Sequence, residues 1–456
     1  MKFTKLAIVV AISNTLVACG GGDSGNSPNI SESSVEILKT EVIDLSMFKQ
    51  RTLLLRSGLV KDLDNDGRNE FIVTITGYPD QPKIPVFIFG DKNNKINLTA
   101  DYFGSDVPSV KHSPYIFYED VTNDGKKDLI FADAGLDSPP WTGSKVQLAI
   151  GQDNKFYNAD SLLAETSNRN YAVAVGDFLN NRSKQILIQD YSNGSGNGKL
   201  LRWANGTIVY ETNPIINYQE FSNTSMFVDD FDRDGYDDLL LGGNMIGKVN
   251  TIIYGSNKGI TGERTSVLPP GPFKEEGYKS CCWKPIQGAE VKSLSLDVNQ
   301  DGFPDIISTG IEAFWSGPTT KTTTYKNNYF FVTTNLNGKE FKLNQIIDLK
   351  DNFYQTMIPM DLNQDGKMDI IAYYHSTTVN LTGTTFFINQ QNGQFKEYDA
   401  STIFPELIYE QVIGHLAPIT LDQKHLTMTQ VVTKFGQQHM TVRTVKFNQN
   451  RFVNLK

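Results

Sequence analysis

The feature that most constrains this chain is a nine-residue acidic segment that recurs along it. The segment reads DVNQDGFPD at residue 297, with acidic or amide side chains on alternate positions around a glycine. Related copies are DLDNDGRNE at 62, DVTNDGKKD at 120, DFDRDGYDD at 230 and DLNQDGKMD at 361. A degenerate copy, DFLNNRSKQ, begins at 177, and APITLDQKHLTMTQVV, from 417, keeps the apolar pattern without the acidic residues. The spacing therefore predicts seven structural repeats.

Each repeat has the pattern of four short strands. Apolar runs such as VKSLSL and DIISTG flank the acidic segment, and two further runs follow it. Polar turns such as Asn337-Gly338 and Asn392-Gly393 join these last two runs and are strong hairpin signals. Four antiparallel strands repeated seven times predict an all-β chain, a seven-bladed β-propeller over residues 35–456, because radial closure protects the sheet edges. The acidic segments would then connect the first and second strands of most blades.

The sequence indicates in part how the ring of blades closes. EVIDLSMFKQRTLLL, from Glu41, is similar to QIIDLKDNFYQTMIP, from Gln345, so residues 35–45 have the pattern of an outer strand without a blade of its own. Such a strand is suited to close on the last blade. The C-terminal TVRTVKFNQNRFVNL can supply that blade's third and fourth strands. The sequence leaves open which terminus forms the final edge.

The acidic segments have the donor chemistry of calcium loops. Hard oxygen donors in a flexible ring of about six to eight ligands suit Ca²⁺, whereas Mg²⁺ requires a tighter octahedron. An EF-hand would need flanking helices and a bidentate Glu at its twelfth position. That position is occupied here by Val73, Phe131, Leu241, Ser308 and Ala372. Solvated turns are the alternative, but five copies at matching points of a repeat favour metal binding. The metal would be structural, because clustered carboxylates repel one another unless a cation neutralises them.

On these loops the chain resembles the FG-GAP or VCBS repeat family of seven-bladed propellers, which includes the head of integrin α chains. The resemblance covers nearly all of residues 35–456 and is weak in the third and seventh repeats. Phe-Gly and Gly-Ala-Pro signatures are not evident, so the bacterial VCBS-like branch is closer. The resemblance implies about five structural Ca²⁺ sites, of which the second, with Thr122, is the weakest. The implied ligands are Asp62, Asp64, Asp66 and Glu70; Asp120, Thr122, Asp124 and Asp128; Asp230, Asp232, Asp234 and Asp238; Asp297, Asn299, Asp301 and Asp305; Asp361, Asn363, Asp365 and Asp369.

The N-terminus has the pattern of an export signal. Residues 1–18 contain two lysines, a short apolar run and small residues ahead of Cys19. The tetrapeptide LVAC resembles the bacterial lipobox, which implies that Cys19 becomes a lipid-carrying N-terminus. Residues 19–34 are rich in Gly and Ser and predict a flexible tether. Gly20 in place of Asp resembles lipoproteins sent to the outer membrane. The alternative is an ordinary secretory signal with an incidental cysteine.

Charge limits the partners that the chain can bind. The formal net charge is −9 at pH 7, and no basic stripe for phosphate binding is present, which argues against nucleic acid. Loss of Lys2 and Lys5 with the signal changes the charge to −11, which five Ca²⁺ ions would nearly neutralise. No later apolar run is long enough to cross a bilayer. We expect a monomer that contacts the membrane only through its lipid.

Two adjacent cysteines remain after Cys19. Cys281 and Cys282, in KSCCWKP, cannot form a disulfide framework in an oxidising compartment. A vicinal disulfide is favoured. An intermolecular bridge or a thiol pair that binds metal are the alternatives.

Long connections predict where a partner would bind. The longest connections all join second to third strands or fourth to first strands, and in a propeller these lie opposite the calcium loops. The predicted ligand face contains Trp141, Trp283, Trp315, Tyr374 and His375, whose rings suit a sugar face or a protein epitope. Loop tryptophans can instead pack against their own loops. We therefore expect a calcium-binding module for a glycan or protein partner.

Enzymatic function is the alternative interpretation. Propeller polysaccharide lyases share this architecture and use a His and Tyr pair to move a proton. Among the five histidines, only His375 lies clearly in a long connection of the predicted ligand face. No phosphate-binding Gly loop, nucleophile elbow or zinc motif is present in the sequence. We assign no catalytic residue.

Overall fold

The structure is a computed structural model that describes most of the repeat region. It describes residues 35–455 except 49–51, 79–81, 137–141, 164–169, 191–196, 212–224, 243–249, 273–288, 316–322, 351, 377–381, 392, 410 and 434–435. This part of the chain is nearly all β, with seven four-stranded antiparallel sheets and one two-stranded sheet. The prediction of an all-β chain built from seven four-stranded units is confirmed.

The four-stranded sheets are numbered here in chain order, with their strands in order of pairing. Sheet 1 contains Thr52–Lys61, Glu70–Tyr78, Phe87–Lys92 and Lys95–Asn97; sheet 2 contains Ile116–Glu119, Asp128–Phe131, Gln147–Gln152 and Lys155–Asn158; sheet 3 contains Asn170–Gly176, Gln185–Asp190, Asn197–Ala204 and Thr207–Tyr210; sheet 4 contains Ser225–Asp229, Asp238–Gly242, Thr251–Ile253 and Thr265–Val267. Sheet 5 contains Ala289–Leu296, Asp305–Trp315, Thr323–Asn335 and Phe341–Lys350; sheet 6 contains Asn352–Met360, Asp369–Ser376, Thr382–Gln391 and Gln394–Asp399; sheet 7 contains His415–Leu421, Leu426–Thr433, His439–Phe447 and Val35–Asp44. The small sheet pairs Ile84–Pro85 with Ser109–Val110.

Helical segments are few and short in the described residues. The α-helices are Thr99–Phe103 and Ala400–Ile403, and the 3-10 helices are Ser46–Phe48, Asp160–Leu162, Pro405–Leu407 and Arg451–Asn454. The Asp399 side chain caps the second α-helix by accepting from the Ser401 backbone nitrogen at 2.7 Å. None of these helices has the length and apolar character that a bilayer span requires.

The hairpin turns between third and fourth strands follow from their residues. The pairs Asn93-Asn94, Asp153-Asn154 and Asn205-Gly206 all have positive φ. Two consecutive residues with positive φ form the turn that matches the twist of paired strands, and Asn, Asp and Gly adopt this conformation most readily. Gly338 and Gly393, which mark predicted hairpins, also have positive φ, at 81° and 71°.

The N-terminal strand forms the fourth strand of the last sheet. Val35–Asp44 pairs antiparallel with His439–Phe447 along its length. The C-terminal segment therefore supplies the third strand but not the fourth. Its last part forms a 3-10 helix instead, capped by the Asn450 side chain, with Phe452 fully buried against Phe386 and Phe404 at ring distances of 4.8 and 5.4 Å. Burial of this ring favours the helical turn over a strand at the edge.

Apolar side chains join each sheet to the next. Separate buried clusters lie between sheets 1 and 2, 2 and 3, 3 and 4, 4 and 5, and 5 and 6. The largest cluster joins sheets 6, 7 and 1. In the interface of sheets 5 and 6, Phe330 stacks on Phe387 with ring centroids 4.0 Å apart. The sheets therefore follow one another in chain order and return to the first, an arrangement consistent with a β-propeller-like fold.

Candidate metal centres

Five acidic loops connect first and second strands, in sheets 1, 2, 4, 5 and 6, as predicted from the sequence. The first Asp of each loop uses both carboxylate oxygens to accept from the backbone nitrogens of the fifth and sixth positions. In the fifth sheet, Asp297 accepts from Asp301 at 3.0 Å and from Gly302 at 2.9 Å. The same pair of bonds recurs at Asp62, Asp120, Asp230 and Asp361, at 2.8–3.2 Å. The five loops therefore share one backbone conformation.

Two positions of each loop have left-handed backbone. The sixth position is glycine throughout, with φ between 84° and 95°. Glycine adopts this conformation without steric cost, which explains its place in the repeat. The fourth position also has positive φ, between 57° and 60°, at Asn65, Asn123, Arg233, Gln300 and Gln364. This turn brings the alternate side chains of the loop to one side.

The ninth carboxylate of each loop is buried and is held by backbone amides. Asp305 accepts from Val298 N at 3.1 Å and from Asn335 N, on the third strand, at 2.8 Å. Its counterparts Glu70, Asp128, Asp238 and Asp369 are equally inaccessible to solvent. Burial raises the pKa of Glu70, Asp238, Asp305 and Asp369 to about 7, and it also raises the pKa of Asp128. A buried carboxylate with a raised pKa favours either a proton or a nearby cation.

Two of the loops bring three carboxylates together. Ligand atoms of Asp62, Asp64 and Asp66 all lie within 4.8 Å of one another, as do those of Asp230, Asp232 and Asp234. In the other three loops the third position holds Thr122, Asn299 or Asn363, so these loops have less negative charge. The structure thus brings together most clearly three of the predicted ligands of the first site, in sheet 1, and of the third site, in sheet 4.

In both of these loops, the Asp at the third loop position has a carboxylate oxygen without a hydrogen-bond partner among the described residues. Asp64 Oδ1 and Asp232 Oδ1 are buried, and neither has a hydrogen-bond partner among the described residues. The side chains are 5% and 8% exposed. A buried carboxylate oxygen is costly unless it is neutralised or hydrogen-bonded. The donor set and the two partnerless oxygens therefore fit a hard divalent cation such as Ca²⁺.

Basic side chains reach both triads, and the sequence reasoning did not identify them. The ammonium group of Lys92 contacts Asp64 and lies 3.9 Å from Asp66. Arg264 contacts Asp232 at 2.9 Å and Asp234 at 3.1 Å. Lys92 is the last residue of the third strand of sheet 1, and Arg264 immediately precedes the fourth strand of sheet 4. Their cations offset part of the repulsion within each triad, and the hairpin pairing that places them there is not visible in the motif itself.

Sheet 3 shows how the same loop folds with fewer acids. Asp177 accepts from Asn181 N at 2.9 Å and from Arg182 N at 2.7 Å, as in the five acidic loops. At the ninth position, Gln185 Oε1 accepts from Leu179 N at 3.1 Å, and its Nε2 donates to Asn181 Oδ1 at 3.1 Å. An amide N–H therefore satisfies an oxygen that would face a cation elsewhere. This loop is an internal reference for a repeat that does not need metal.

Much of the predicted ligand face lies outside the described residues. This applies to Trp141 and Trp283, to Cys19, Cys281 and Cys282, to the proposed signal and tether at 1–34, and to the side chain of Trp315, whose backbone ends a strand of sheet 5. Tyr374 and His375 are described and lie in the second strand of sheet 6. Of these eight side chains, the structure therefore describes only those of Tyr374 and His375.

Tyr374 and His375 point to opposite sides of their sheet, as neighbours in a strand do. Tyr374 donates to Asp399 Oδ2 at 3.3 Å and packs against Tyr354. His375 packs edge-on against Phe353, and its Nδ1 lies 2.9 Å from the Gln355 amide. Burial, followed by the charge of Arg56, lowers the pKa of His375 to about 4. The two side chains do not face a common site, so they do not form a proton-transfer pair with each other.

Comparisons with known proteins identify no family. No family model matches the chain, and no curated protein matches it. Among solved structures, the chain is similar to one described as the crystal structure of S. cerevisiae core factor at 3.2 Å resolution, with 11% identity and a TM-score of 0.42. The similarity covers 92% of this chain and 61% of that one. It is too low to carry an argument about fold or function.

Proposed function

We propose that this chain is a calcium-stabilised, seven-bladed β-propeller lipoprotein of the bacterial cell envelope that binds a glycan or protein partner without catalysis. The proposal of calcium depends above all on one observation, the buried and partnerless oxygens Asp64 Oδ1 and Asp232 Oδ1. Each belongs to a triad of carboxylates at the predicted ligand positions. A divalent cation at this point would offset most of the negative charge of the three carboxylates.

Loop equivalence extends the proposal from two loops to five. In all five acidic loops the first Asp accepts the same pair of backbone hydrogen bonds, the glycine has φ between 84° and 95°, and the ninth carboxylate is buried. Each ion would join the first and second strands of its sheet, and through the ninth carboxylate it would also stabilise the third strand. Calcium would therefore stabilise individual blades and would take no part in a reaction.

The strand order supports a partner surface away from the metal loops. In an up-and-down antiparallel sheet, connections between first and second strands lie at one end, and those between second and third strands lie at the other. All seven four-stranded sheets have neighbouring strands in this order. The long connections with Trp141 and Trp283 would then extend from the end opposite the acidic loops. A surface of this kind, with aromatic side chains, suits a glycan or a protein.

Elemental analysis tests the calcium assignment. The purified chain, equilibrated with Ca²⁺ and then freed of excess ion, should retain about five Ca²⁺, and Asp64→Asn and Asp232→Asn should each lose a single ion. Asp153→Asn is the matched control, because Asp153 is 81% exposed on an adjacent turn. Absence of bound Ca²⁺ from the unmodified chain, or equal loss in the control, would refute the assignment.

A separate experiment tests the partner. The detergent-solubilised lipoprotein should bind members of a glycan array, or an envelope protein in a pull-down, without releasing unsaturated uronates that absorb in the ultraviolet. Trp283→Ala and Trp315→Ala should weaken binding while leaving the melting temperature nearly unchanged. Release of unsaturated uronates would favour the lyase alternative over a binding module.

A further inference from the structure

Hydrogen bonds join the acidic loop of sheet 4 to the acidic loop of sheet 5. In sheet 4 the buried ninth carboxylate, Asp238, accepts from Phe231 N at 2.7 Å. The carbonyl oxygen of Phe231 accepts from the side-chain amide of Asn335, on the third strand of sheet 5, at 2.8 Å. The backbone nitrogen of Asn335 donates to Asp305, the ninth carboxylate of sheet 5, at 2.8 Å. A path of three hydrogen bonds therefore connects the two buried carboxylates.

The same path repeats between sheets 5 and 6. Asp305 accepts from Val298 N at 3.1 Å, and the Val298 carbonyl accepts from the side-chain amide of Asn389 at 3.0 Å. The backbone nitrogen of Asn389 donates to Asp369, the ninth carboxylate of sheet 6, at 2.8 Å. The residues of both paths are at most 3% exposed, so water does not compete for these bonds. The ninth carboxylates of three successive acidic loops thus belong to one buried network.

A second row of contacts joins the same three loops closer to solvent. Arg233, at the fourth position of the loop in sheet 4, donates to the carbonyl of Gly302 in the loop of sheet 5. Gln300, at the fourth position of that loop, donates to the carbonyl of Gly366 in the loop of sheet 6 at 3.2 Å. Both donor residues have the positive φ that the fourth position shares. The conformation of one loop therefore sets the position of the side chain that contacts the next loop.

The loops of sheets 1 and 2 lack both connections. Gly151 occupies the place of Asn335, because its backbone nitrogen donates to the ninth carboxylate Asp128 at 3.0 Å, but it has no side chain that could reach sheet 1. Asn65, at the fourth position of the first loop, makes no side-chain hydrogen bond to the loop of sheet 2 among the described residues. A cavity of about 420 Å³ lies at this point instead. The residues that line it include Leu63, Asn65, Gly125 and Gly151.

We propose that the calcium sites of sheets 4, 5 and 6 bind the ion cooperatively through this network, whereas those of sheets 1 and 2 bind it independently. This inference rests on the calcium sites of the proposed function. When one loop is occupied, its ninth carboxylate is fixed, and the path through Asn335 or Asn389 then favours the observed position of the neighbouring carboxylate. Because coupling between two binding sites is reciprocal, each site raises the affinity of its neighbour by the same factor.

Two matched variants test the coupling by equilibrium dialysis of the full chain against radioactive calcium. Asp301→Asn changes the fifth position of the middle loop of the network, and Asp124→Asn changes the same position of the loop in sheet 2. Both aspartates are exposed, and each accepts from the backbone nitrogen two residues further on at 2.9 Å. Asp124→Asn should lose one ion and leave the affinities of the other sites unchanged. Asp301→Asn should lose one ion and also weaken the sites of sheets 4 and 6 by at least about fivefold.

A double substitution locates the coupling within the interface of sheets 4 and 5. Arg233→Asn together with Asn335→Gly gives this interface the residue types found between sheets 1 and 2. Glycine is compatible with the fold at this place, because Gly255 N donates to Asp238 at 2.7 Å in sheet 4 just as Gly151 N donates to Asp128 in sheet 2. In the double variant, Asp301→Asn should weaken the site of sheet 6 but no longer that of sheet 4.

The outcomes separate this inference from the calcium assignment. If the unmodified chain binds about five ions but Asp301→Asn and Asp124→Asn leave equal affinities at the remaining sites, the coupling is overturned and the calcium assignment stands. If Asp301→Asn still weakens the site of sheet 4 in the double variant, Arg233 and Asn335 do not carry the coupling, and the proposal is overturned. If the unmodified chain binds no calcium, the calcium assignment is overturned and the coupling with it.

Discussion

The comparison of two equivalent loops gives the sharpest prediction about calcium. Asp297 begins an acidic loop, and Asp177 begins the loop that uses Gln185 in place of an acid. Both aspartates accept two backbone N–H groups in the same geometry, at 2.9 and 3.0 Å for Asp297 and at 2.9 and 2.7 Å for Asp177. Substitution by Asn therefore removes the same acceptor oxygen in each loop, and only Asp297→Asn also removes a predicted calcium ligand.

The expected magnitudes follow from these contacts. Loss of one acceptor for a backbone N–H costs about 1–3 kcal/mol in either variant. Loss of an ion present at about 100 times its Kd costs roughly 2.7 kcal/mol more in Asp297→Asn alone. In excess EGTA this difference should disappear, because neither loop then has a metal to lose. In EGTA, the removal of one negative charge near Asp301 also lessens the repulsion between carboxylates in the Asp297→Asn loop, which stabilises the folded variant.

Urea unfolding of both variants, in Ca²⁺ and in EGTA, measures this difference. In Ca²⁺ the unfolding midpoint of Asp297→Asn should lie clearly below that of Asp177→Asn, and elemental analysis should show a single Ca²⁺ fewer per chain. In EGTA the midpoint of Asp297→Asn should no longer lie below that of Asp177→Asn. Equal midpoints in Ca²⁺ together with equal metal content would refute the assignment of the fifth-sheet loop as a calcium site.

Three further predictions concern pH, the basic side chains and the N-terminus. In EGTA, the free energy of unfolding should fall as pH rises from about 4 to above 7. The reason is that burial raises the pKa of Asp305 and Asp369 to about 7, so that their protonated forms favour folding. Urea titrations in saturating Ca²⁺ should show a much weaker dependence of the unfolding free energy on pH. Arg264→Met should tighten calcium binding by about threefold to fivefold in calorimetric titration, because the Arg264 cation competes with calcium for Asp232. The effect is modest because Arg264 is 48% exposed and its charge is screened by solvent. Unchanged calcium affinity would show that Arg264 does not compete. Cys19→Ala should release the protein from the membrane fraction, whereas normal processing and continued membrane association would contradict the lipobox assignment.

Much of the fold follows from local patterns in the sequence. The alternating apolar runs, the Asn-Gly turns and the repeated acidic segments each specify structure within a few residues, and the structure has seven four-stranded sheets at the expected places. The acidic loops fold alike because the first Asp and the glycine determine their turn locally. Even the degenerate loop at Asp177 keeps this conformation, since its two backbone hydrogen bonds need only one carboxylate.

The completion of sheet 7 and the positions of the basic side chains at the carboxylate triads depend on contacts between residues that are distant in the chain. The choice of Val35–Asp44 as the final strand of sheet 7 is decided by its pairing with His439–Phe447 and by burial of Phe452, neither of which a repeat pattern specifies. Lys92 and Arg264 reach the carboxylate triads through hairpin register, and they carry no motif.

The sequence by itself determined the elements that local chemistry controls, namely strands, turns and the conformation of the acidic loops, because each of these depends on residues within about ten positions of one another. Only the tertiary structure decided which side chains from different sheets meet. Arg56 and Gln355 come into contact because two bulges occupy matching places in sheets 1 and 6. Contacts of this kind join residues far apart in the chain, which is why they leave no recognisable pattern in the sequence.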